Sequence, residues 1–509
     1  MRKMKKGAFE MKRARMILVT IMALVLLAPM SALAATNEEL QNQIDELKQK
    51  IDGVQKSSGH SGKPDAITFG GDYQFRADSL SGNVIDYYRF QDALGYMMGG
   101  PAPQIVPSQK VKNDALFTNR LGINMQARAT ENITVKARLL MYKVWGHQTS
   151  DSMSGANGLF ADRYSVFDGN TSHIPQDSNL RVDQAYATYS GLFGAPAWFS
   201  VGRRPSTGGV PTNLRHNQER SGAAGTPGIL VDYAFDGMVL GYAPDSEAIP
   251  GSFIKLCYGK GFDSGLRPAN NGLKDVDMLG IDMAVYSTDA LHVEFQWNRA
   301  FNIFAFPEET AGNTNLGDID QYGAVVMGKA DGFNWFLSGA MSKTNPNDNL
   351  YSVDTDGDGV ADMGVAGLLY DAPAMGGSKE SLKGTAYYVG ARYDFAATAT
   401  KLGVEFNHGS KNWVTFAPAS DDMITSKLGT RGDVYEVYVI QELKENPVSR
   451  KGKAYFRLGY QYYEFDYTGS NNWVGAAKGI NELSDPNNAQ MFSPLEYAHD
   501  VYLSFNVEF

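Results

Sequence analysis

The sequence predicts an all-β transmembrane barrel of about sixteen antiparallel strands, or eighteen on the alternative count, preceded by a short coiled-coil helix. Three observations lead to this prediction. Apolar and polar residues alternate with a period of two from residue 66 to residue 509, short turns and long loops follow one another along that segment, and the first residues have the features of an export signal. The barrel is therefore assigned to residues 66–509.

Residues 1–34 are predicted to form a secretory signal peptide that is removed on export. A basic stretch precedes an apolar run over residues 16–27, and Ala32, Leu33 and Ala34 supply the small-x-small site that signal peptidase requires. The apolar run is too short to cross a bilayer, which needs about 20 apolar residues. The basic residues are Arg2, Lys3, Lys5, Lys6, Lys12, Arg13 and Arg15.

Residues 36–55 have the heptad pattern of a short periplasmic coiled-coil helix, and residues 56–65 are typical of a flexible linker. The apolar positions, at spacings of four and three, are Leu40, Ile44, Leu47, Ile51 and Val54. A helix of about two heptads is marginal alone in water, so association needs barrels that already lie side by side. The interpretation is a homo-oligomer, with a trimer favoured; the alternative is a solitary amphipathic helix on the barrel or the membrane.

The charge and cysteine content exclude several classes of partner and reaction. The net charge of the 509 residues is −10, and the signal peptide is basic, so the exported part is more acidic still and unsuited to nucleic acid. A single cysteine, Cys257, excludes internal disulfides and a Cys-x-x-Cys-His haem attachment site. The common hydrolase, zinc-protease and phosphate-loop motifs do not occur, and the seven histidines are dispersed. The sequence predicts a protein that is not an enzyme and requires no cofactor.

Loop lengths distinguish a barrel from a soluble β-sandwich. Tight connections are predicted at residues 130–132, 287–289, 330–332 and 396–399, and long ones at 80–114, 146–179, 344–383 and 468–496. Outer-membrane barrels have short periplasmic turns and long external loops. A count of sixteen requires that residues 228–243 form one strand with a β-bulge at Asp236 and Gly237, whereas an undetected strand in a long loop would make it eighteen. Barrels of this size enclose water.

The carboxyl-terminal segment alternates without a break and ends on an aromatic residue. Val501, Leu503, Phe505, Val507 and Phe509 fall on one face of an extended strand. This ending resembles the closing strand of Gram-negative outer-membrane barrels. The resemblance implies an outer-membrane location with lipid as a partner, and we expect the strand to close the barrel against residues 66–77.

Charged residues recur on the polar face of the predicted strands and are candidates for the lumen wall. Two interpretations stay open: basic and acidic residues line different arcs and create a transverse field, or they neutralise each other in networks. The basic candidates are Arg76, Arg120, Arg128, Lys136 and Arg138. The acidic candidates are Asp282, Glu294, Glu405 and Glu436.

The third long loop, over residues 204–220, is the candidate for a pore constriction. It combines basic side chains with Gly and Pro residues that permit a tight inward fold. In ordinal position and chemistry it resembles the third external loop of general porins, which bends into the lumen; the alternative is an ordinary external loop. The constriction candidates are Arg203, Arg204, Arg215, His216 and Arg220.

An aspartate-rich segment at residues 354–362 has the spacing of a calcium loop. Asp354, Asp356 and Asp358 occupy positions 1, 3 and 5, Val360 offers its carbonyl at position 7, and Asp362 falls at position 9. The segment departs from an EF-hand because no glutamate occupies position 12. We expect an external Ca²⁺ site that stiffens the loop, against the alternative of a solvated acidic turn.

The layout of signal peptide, coiled coil, linker and barrel, with the sequence Gly202-Arg203-Arg204-Pro205 before the third loop, resembles a family of predicted outer-membrane channels of unknown function. That family is frequent in anaerobic metal- and sulfate-reducing Gram-negative bacteria. The layout is also similar to carbohydrate- and phosphate-selective porins that carry coiled coils. The resemblance implies a channel without naming a solute. The leading hypothesis is passive diffusion of small hydrophilic solutes or ions, with Arg203, Arg204 and Arg215 at the constriction favouring small anions. The alternatives are an insulating sheath around a multihaem cytochrome and a structural or adhesive barrel.

Overall fold

The computed structural model describes residues 67–146, 173–266, 273–305, 314–355, 360–361, 363–417, 422–449 and 452–509. The predicted signal peptide (1–34), coiled coil (36–55) and linker (56–65) lie outside the described residues. So do the five predicted oligomerisation positions within the coiled coil.

Sixteen antiparallel strands of the described chain close into one barrel, in which each strand pairs with the next and the last pairs with the first. The smaller of the two predicted counts is therefore confirmed. The strands are β1 (Ile67–Val84), β2 (Gln109–Arg128), β3 (Ile133–Val144), β4 (Arg181–Ser190), β5 (Ala197–Ser206), β6 (Tyr233–Tyr242), β7 (Phe253–Phe262), β8 (Val276–Ser287), β9 (Leu291–Phe304), β10 (Asn315–Ala330), β11 (Phe333–Pro346), β12 (Lys383–Phe395), β13 (Thr400–Gly409), β14 (Gly432–Glu442), β15 (Lys453–Phe465) and β16 (Leu495–Glu508).

The connections carry smaller elements. Among the described residues, one α-helix, α1, spans Phe90–Met97, and two short antiparallel pairs join Tyr87–Tyr88 to Ile105–Val106 and Tyr351–Val353 to Met363–Ala366. The 3-10 helices in the same residues are Leu192–Gly194, Gly222–Ala224, Pro373–Met375, Lys427–Gly429, Ile480–Glu482 and Pro486–Asn488. Within the described residues, no helix combines the length and apolar character that a membrane-spanning helix needs.

The barrel closes at the seam between β1 and β16, as predicted from the terminal strand. Residues Asp72 to Leu80 pair in register with Asp500 to Glu508. The backbone of Phe509 adds two hydrogen bonds with Gly71, of 2.8 and 2.9 Å. A side chain at Gly71 has no room, because its Cβ would lie 2.5 Å from the carbonyl oxygen of Gly122 and 2.8 Å from the Phe509 ring.

The two faces of the barrel wall differ in chemistry. Large apolar side chains are exposed on the outward face along the strands, as an apolar band against lipid requires. Examples are Phe199, Leu240, Leu256, Leu337, Leu458 and Leu503. Alternate residues of the same strands are polar, point inward and are mostly buried, so material inside the lumen covers them.

Strand β6 is a single strand, as the count of sixteen requires, but the predicted bulge at Asp236 and Gly237 is wrong. Its register with β5 and with β7 runs without a shift. The apolar residues lie on opposite faces in the two halves of the strand because both faces have apolar surroundings. Tyr233 and Phe235 point inward into a buried apolar cluster, whereas Met238 and Leu240 point outward. The second half of the strand faces lipid, and the first half packs against an inward-folded loop.

Long and short connections alternate, as predicted, so the barrel has a loop end and a turn end. The turn end carries short connections such as 129–132, 288–290, 331–332 and 396–399. Two long connections from the loop end matter below and are named here: the third loop (207–232) and the seventh loop (410–431).

Candidate functional site

The third loop folds into the lumen, where inward-facing side chains of the wall hold its backbone. Three consecutive carbonyl groups accept hydrogen bonds from side chains of two strands, one from β12 and two from β15. The bonds are Arg392 Nη1 to Leu214 O at 2.5 Å, Arg457 Nη1 to Arg215 O at 2.7 Å and Tyr455 Oη to His216 O at 2.8 Å. The prediction of an inward third loop agrees with this geometry, in which β12 and β15 grip the loop.

The tip of the third loop crosses the lumen near the turn end. On one side, the side chain of Asn217 accepts from Lys401 Nζ at 2.6 Å and donates to Glu442 Oε1 at 2.9 Å. Both partners lie beside short turns. On a distant arc of the wall, Arg220 Nη2 donates to the carbonyl of Thr288 at 2.5 Å, in the turn between β8 and β9. The loop therefore forms a bar across the pore.

The third and seventh loops pack on each other through an apolar contact inside the barrel. The backbone of Phe416 donates to Leu230 O and accepts from the Asp232 N–H, both at 2.9 Å. Ile229, Leu230, Trp413 and Phe416 are fully buried in one cluster with inward residues of the wall. The two loops thus make a core in the lumen, and burial of large apolar side chains is worth about 1.5–3 kcal/mol each.

Cations from these loops neutralise the acidic wall at β13 and β14. Lys427 of the seventh loop pairs with Glu405 and, at 2.5 Å, with Glu436. Arg215 of the third loop lies 2.7 Å from Asp422 and 3.2 Å from Glu436. All five side chains are buried.

The other predicted acidic residues also face inward: Asp282 is paired with a lysine, and Glu294 is hydrogen-bonded to a histidine. Asp282 lies 2.8 Å from Lys255 Nζ, and Lys255 also donates to the carbonyl of Gly225 in the third loop. Glu294 is 2.8 Å from His292 Nε2. Along this arc the structure corresponds to the interpretation in which wall charges are neutralised in networks.

The basic candidates divide into paired and accessible residues. Arg76 is fully buried and lies 2.7 Å from Asp78 and 2.9 Å from Asp500. Arg128 and Lys136 are inward-facing residues of β2 and β3 and are exposed to the lumen. At these two positions, the wall formed by β2 and β3 is open to water and presents positive charge.

The two remaining basic candidates lie on the same two strands, β2 and β3. Arg138 is 2.6 Å from Asp72 and 3.2 Å from Asp183, and it is only partly covered. The guanidinium of Arg120 lies 5.6 Å from the centre of the Tyr142 ring. Both side chains face the lumen, as predicted.

The structure separates the five predicted constriction residues. Arg203 is a correction: it lies in β5, not in the loop, and it points outward, where Nη2 is 2.9 Å from Asp236. Successive residues of a strand point to opposite faces, so the next residue, Arg204, points into the lumen. Arg215 and His216 are held within the loop packing, and Arg220 anchors the loop at the turn end.

A cavity of about 290 Å³ lies between the third loop and the inner wall of β2 to β5, and we call it the constriction gap. Arg204 and Lys136 line it from the wall, and Ala223 of the third loop lines it from the opposite side. The third loop and a basic part of the wall therefore face each other across the gap.

A larger cavity of about 960 Å³ lies at the loop end. Its walls include Tyr96 and Met97 of α1, Tyr467, and the pair formed by Asp371 and Lys478 at 2.5 Å. It gives the loop end a vestibule with aromatic and charged walls.

Sequence reasoning missed the seventh loop. Trp413, Phe416, Ile424 and Leu428 are buried, and Asp422 and Lys427 supply the charges that hold the third loop. The signal was present, since a solvated external loop has no use for four large apolar residues. The period-two pattern does not extend into this loop.

The calcium prediction stays a prediction. Asp356, Asp358 and Asp362 lie outside the described residues, while Asp354 and Val360 lie in the connection between Tyr351–Val353 and Met363–Ala366. In the part of the chain that the structure describes, no three His, Cys, Asp or Glu residues come together as a metal site.

The closed barrel, its outward apolar band and its charged lumen define an outer-membrane type of β-barrel. The chain belongs to the family described as "Protein of unknown function (DUF3373)", which matches residues 110–509. No curated protein matches the sequence.

Solved structures with a similar course of the chain have low sequence identity. OmpT of Vibrio cholerae, described as an outer membrane protein in trimer form, is 12% identical over 87% of this chain and 100% of its own, with a TM-score of 0.39. The outer-membrane expressed form of the same protein is 14% identical over 88% and 99%, with a TM-score of 0.39. Salmonella typhi OmpF in complex with daunomycin is 10% identical over 86% and 97%, with a TM-score of 0.42.

Proposed function

We propose that this protein is an outer-membrane channel for passive diffusion of small hydrophilic solutes and ions, with a bias towards anions. One observation carries the proposal: all four predicted acidic residues of the lumen wall are buried, three of them paired with lysine and Glu294 bonded to His292, while Arg128 and Lys136 remain exposed in the lumen. Among the described residues, no carboxylate forms an ion pair with either of these side chains, so a solute in the lumen meets positive charge, which raises the local concentration of anions.

The constriction gap places this charge where it affects passage most. The third loop fills part of the cross-section near the turn end, so a solute that passes the loop moves along the wall of β2 to β5. Lys136 and Arg204 line that side. Electrostatic selection acts most strongly at a narrow place, because the solute has lost part of its water and lies close to the wall.

Planar-bilayer recording of the purified full-length protein tests the proposal. Under a gradient of potassium chloride, we expect discrete conductance steps and a reversal potential displaced towards that of chloride. A protein that inserts into the bilayer and never conducts would exclude the channel. A reversal potential of zero, or one displaced towards that of potassium, would exclude the anion bias.

A second candidate is a structural or adhesive barrel without transport. The apolar contact between the third and seventh loops favours it, because a lumen filled with packed apolar residues resembles a plug more than a water channel. The same recording separates the two candidates, since a plugged barrel inserts without conductance.

The electron-conduit alternative requires space in the lumen for a multihaem partner. Two packed loops occupy much of that space, which supports a channel in preference to a sheath. Purification from the native membrane tests the choice: a haem protein that remains bound through several columns would favour the sheath. The amino-terminal coiled coil is proposed to join such barrels, and removal of residues 36–55 should then lower the mass of the purified complex.

A further inference from the structure

The constriction gap contains an arginine whose charge is not matched. Arg204 has only 9% of its surface exposed, and its Nε atom is buried without a hydrogen bond. Among the described residues, no carboxylate lies within ion-pair distance of it. Asp236 on the neighbouring strand faces outward and pairs with Arg203. A buried guanidinium without a partner is costly, so this position is suited to an anion that arrives from the lumen.

A second cation faces the same gap. Lys136 of β3 lines the cavity with Arg204 of β5. Its ammonium group makes no hydrogen bond or ion pair within the part of the chain that the structure describes. Two cations on separate strands therefore lie around one cavity, with no acid between them in its lining.

Flat aromatic surfaces complete the cavity. Trp198 and Tyr186 line it, and the guanidinium of Arg204 lies 5.8 Å from the centre of the Tyr186 ring. The indole of Trp198 packs over Gly241, where a Cβ atom would lie 2.1 Å from Trp198 Cζ2. Glycine at residue 241 thus lets the ring lie against the wall of β6.

Hydroxyl groups supply the remaining polar contacts. Thr188 Oγ1 donates to Ser200 Oγ at 3.0 Å, and Thr188 lines the cavity. Thr134 and Ser190 also line it. Hydroxyls can donate to a carboxylate without adding a charge.

We propose that the constriction gap is a binding site for small aromatic carboxylates. The guanidinium of Arg204 recognises the carboxylate, because its planar fork matches two oxygen atoms at once. Lys136 adds a second positive charge, and Trp198 and Tyr186 hold the flat apolar body. The cavity volume lies at the lower limit of ordinary ligand pockets, about 300 Å³, which favours a single-ring ligand. The inference rests on the proposed function, since it names a solute class for the same lumen.

Calorimetric titration of the full-length protein in detergent tests this site, with benzoate, benzyl alcohol and inorganic phosphate as probes. We expect saturable binding of benzoate, and much weaker binding of benzyl alcohol, which lacks the charge, and of phosphate, which lacks the ring. Arg204→Gln should weaken benzoate binding about tenfold or more, and Trp198→Ala should also weaken it. Equal binding of benzyl alcohol or of phosphate would overturn the proposal.

Arg203→Gln is the matched control, because it removes the same charge one residue away on the opposite face. It should leave benzoate affinity unchanged, and equal loss in both variants would overturn the site. Heat-dependent gel mobility shows whether each variant forms a barrel. If Arg204→Gln does not form one, benzoate affinity is measured on Lys136→Gln, which removes the other cation of the gap from a different strand. Anion-selective conductance without benzoate binding would refute the site alone, and benzoate binding without conductance would refute the channel alone.

Discussion

The guanidinium of Arg215 lies 2.7 Å from the carboxylate of Asp422, although the two residues are 207 positions apart in the chain. The contact joins the third loop to the seventh loop inside the lumen. Arg215 Nη1 also lies 3.2 Å from Glu436 on the wall, and Gln461 donates to Asp422 Oδ1 at 2.9 Å. The two loops and the wall therefore share one buried ionic network, which fixes how far the loops reach across the pore.

Removing Arg215 should loosen both loops. Arg215→Leu leaves Asp422 buried without its cation, and breaking a buried pair from one side costs about 3–5 kcal/mol. We expect a lower temperature for conversion of the folded form on gels and larger, noisier single-channel currents. Arg215→Leu with Asp422→Leu should recover part of the stability, since it removes both charges. Glu219→Gln, at an exposed position of the same loop, is the control; an equal loss there would contradict the role of the network.

Lys136 should set anion preference, whereas Lys143 on the same strand should not. Their side chains point to opposite faces of β3, inward and outward. A unit charge at about 4 Å in water is worth about 1 kcal/mol, roughly a fivefold change in partition. Lys136→Gln should therefore lower the ratio of chloride to potassium permeability by roughly fivefold, and Lys143→Gln should leave it unchanged. Reversal potentials under a salt gradient measure both, and equal shifts would show that the effect is not local.

Gly241 should be needed for the position of the Trp198 ring. Alanine at residue 241 would place its Cβ 2.1 Å from Trp198 Cζ2, so the ring would have to move. We expect Gly241→Ala to lower benzoate affinity and to cost about 1–3 kcal/mol of stability from overpacking. Gly339→Ala is the control, because nothing lies within 4 Å of a Cβ there. Calorimetry and thermal conversion on gels measure the two effects, and unchanged affinity in Gly241→Ala would show that the ring does not bind the ligand.

The connection between β7 and β8 should open at acid pH. Hydrogen bonds from Lys260 at 2.5 Å and from Ser264 hold the pKa of Asp275 below its usual range. A depressed pKa stabilises the folded loop at pH values above the ordinary aspartate pKa of about 3.9, and that contribution is lost as the pH falls towards the depressed value. Asp275→Asn should reproduce the acid state at neutral pH and speed tryptic cleavage after Lys274. Asp263→Asn is the exposed control, and equal cleavage of the two variants would refute the contact.

The barrel seam should depend on Phe509 and Gly71. Deletion of Phe509 removes two backbone hydrogen bonds, of 2.8 and 2.9 Å. Gly71→Val would drive a side chain into Gly122 O and the Phe509 ring. We expect both variants to yield less folded barrel in refolding assays, as the ratio of folded to unfolded bands shows. Gly339→Val, at a strand position where nothing lies within 4 Å of a Cβ, should refold normally.

The strand pattern was predictable because lipid and water impose opposite chemistries on the two faces of each strand. Leu121 and Ile123 point outward and Arg120 and Asn124 inward in the structure, as alternation requires. A chain that begins and ends on the same side of the membrane needs an even number of strands, which left sixteen and eighteen open, and the structure has sixteen. The predicted bulge in β6 was wrong because it assumed that all apolar residues of the strand face lipid. Tyr233 and Phe235 instead pack against the contents of the lumen, which local sequence does not reveal.

The candidate site was predictable only in part. Arg204 was predicted because basic residues are combined there with Gly and Pro residues that permit an inward fold. The same reasoning was wrong for Arg203, because successive residues of a strand point to opposite faces and Arg203 points outward. The contacts between Lys427 and the glutamates of the wall depend on where a loop folds in three dimensions. No spacing within the chain encodes such a contact.

The cations that neutralise Glu405 and Glu436 come from loops, whereas the carboxylates belong to strands. Loops gain and lose residues far more readily than strands in related proteins. A relative that kept all sixteen strands but shortened the seventh loop would present these carboxylates to water and would attract cations. Evolution could therefore reverse the ion preference of this barrel without altering a residue of its wall.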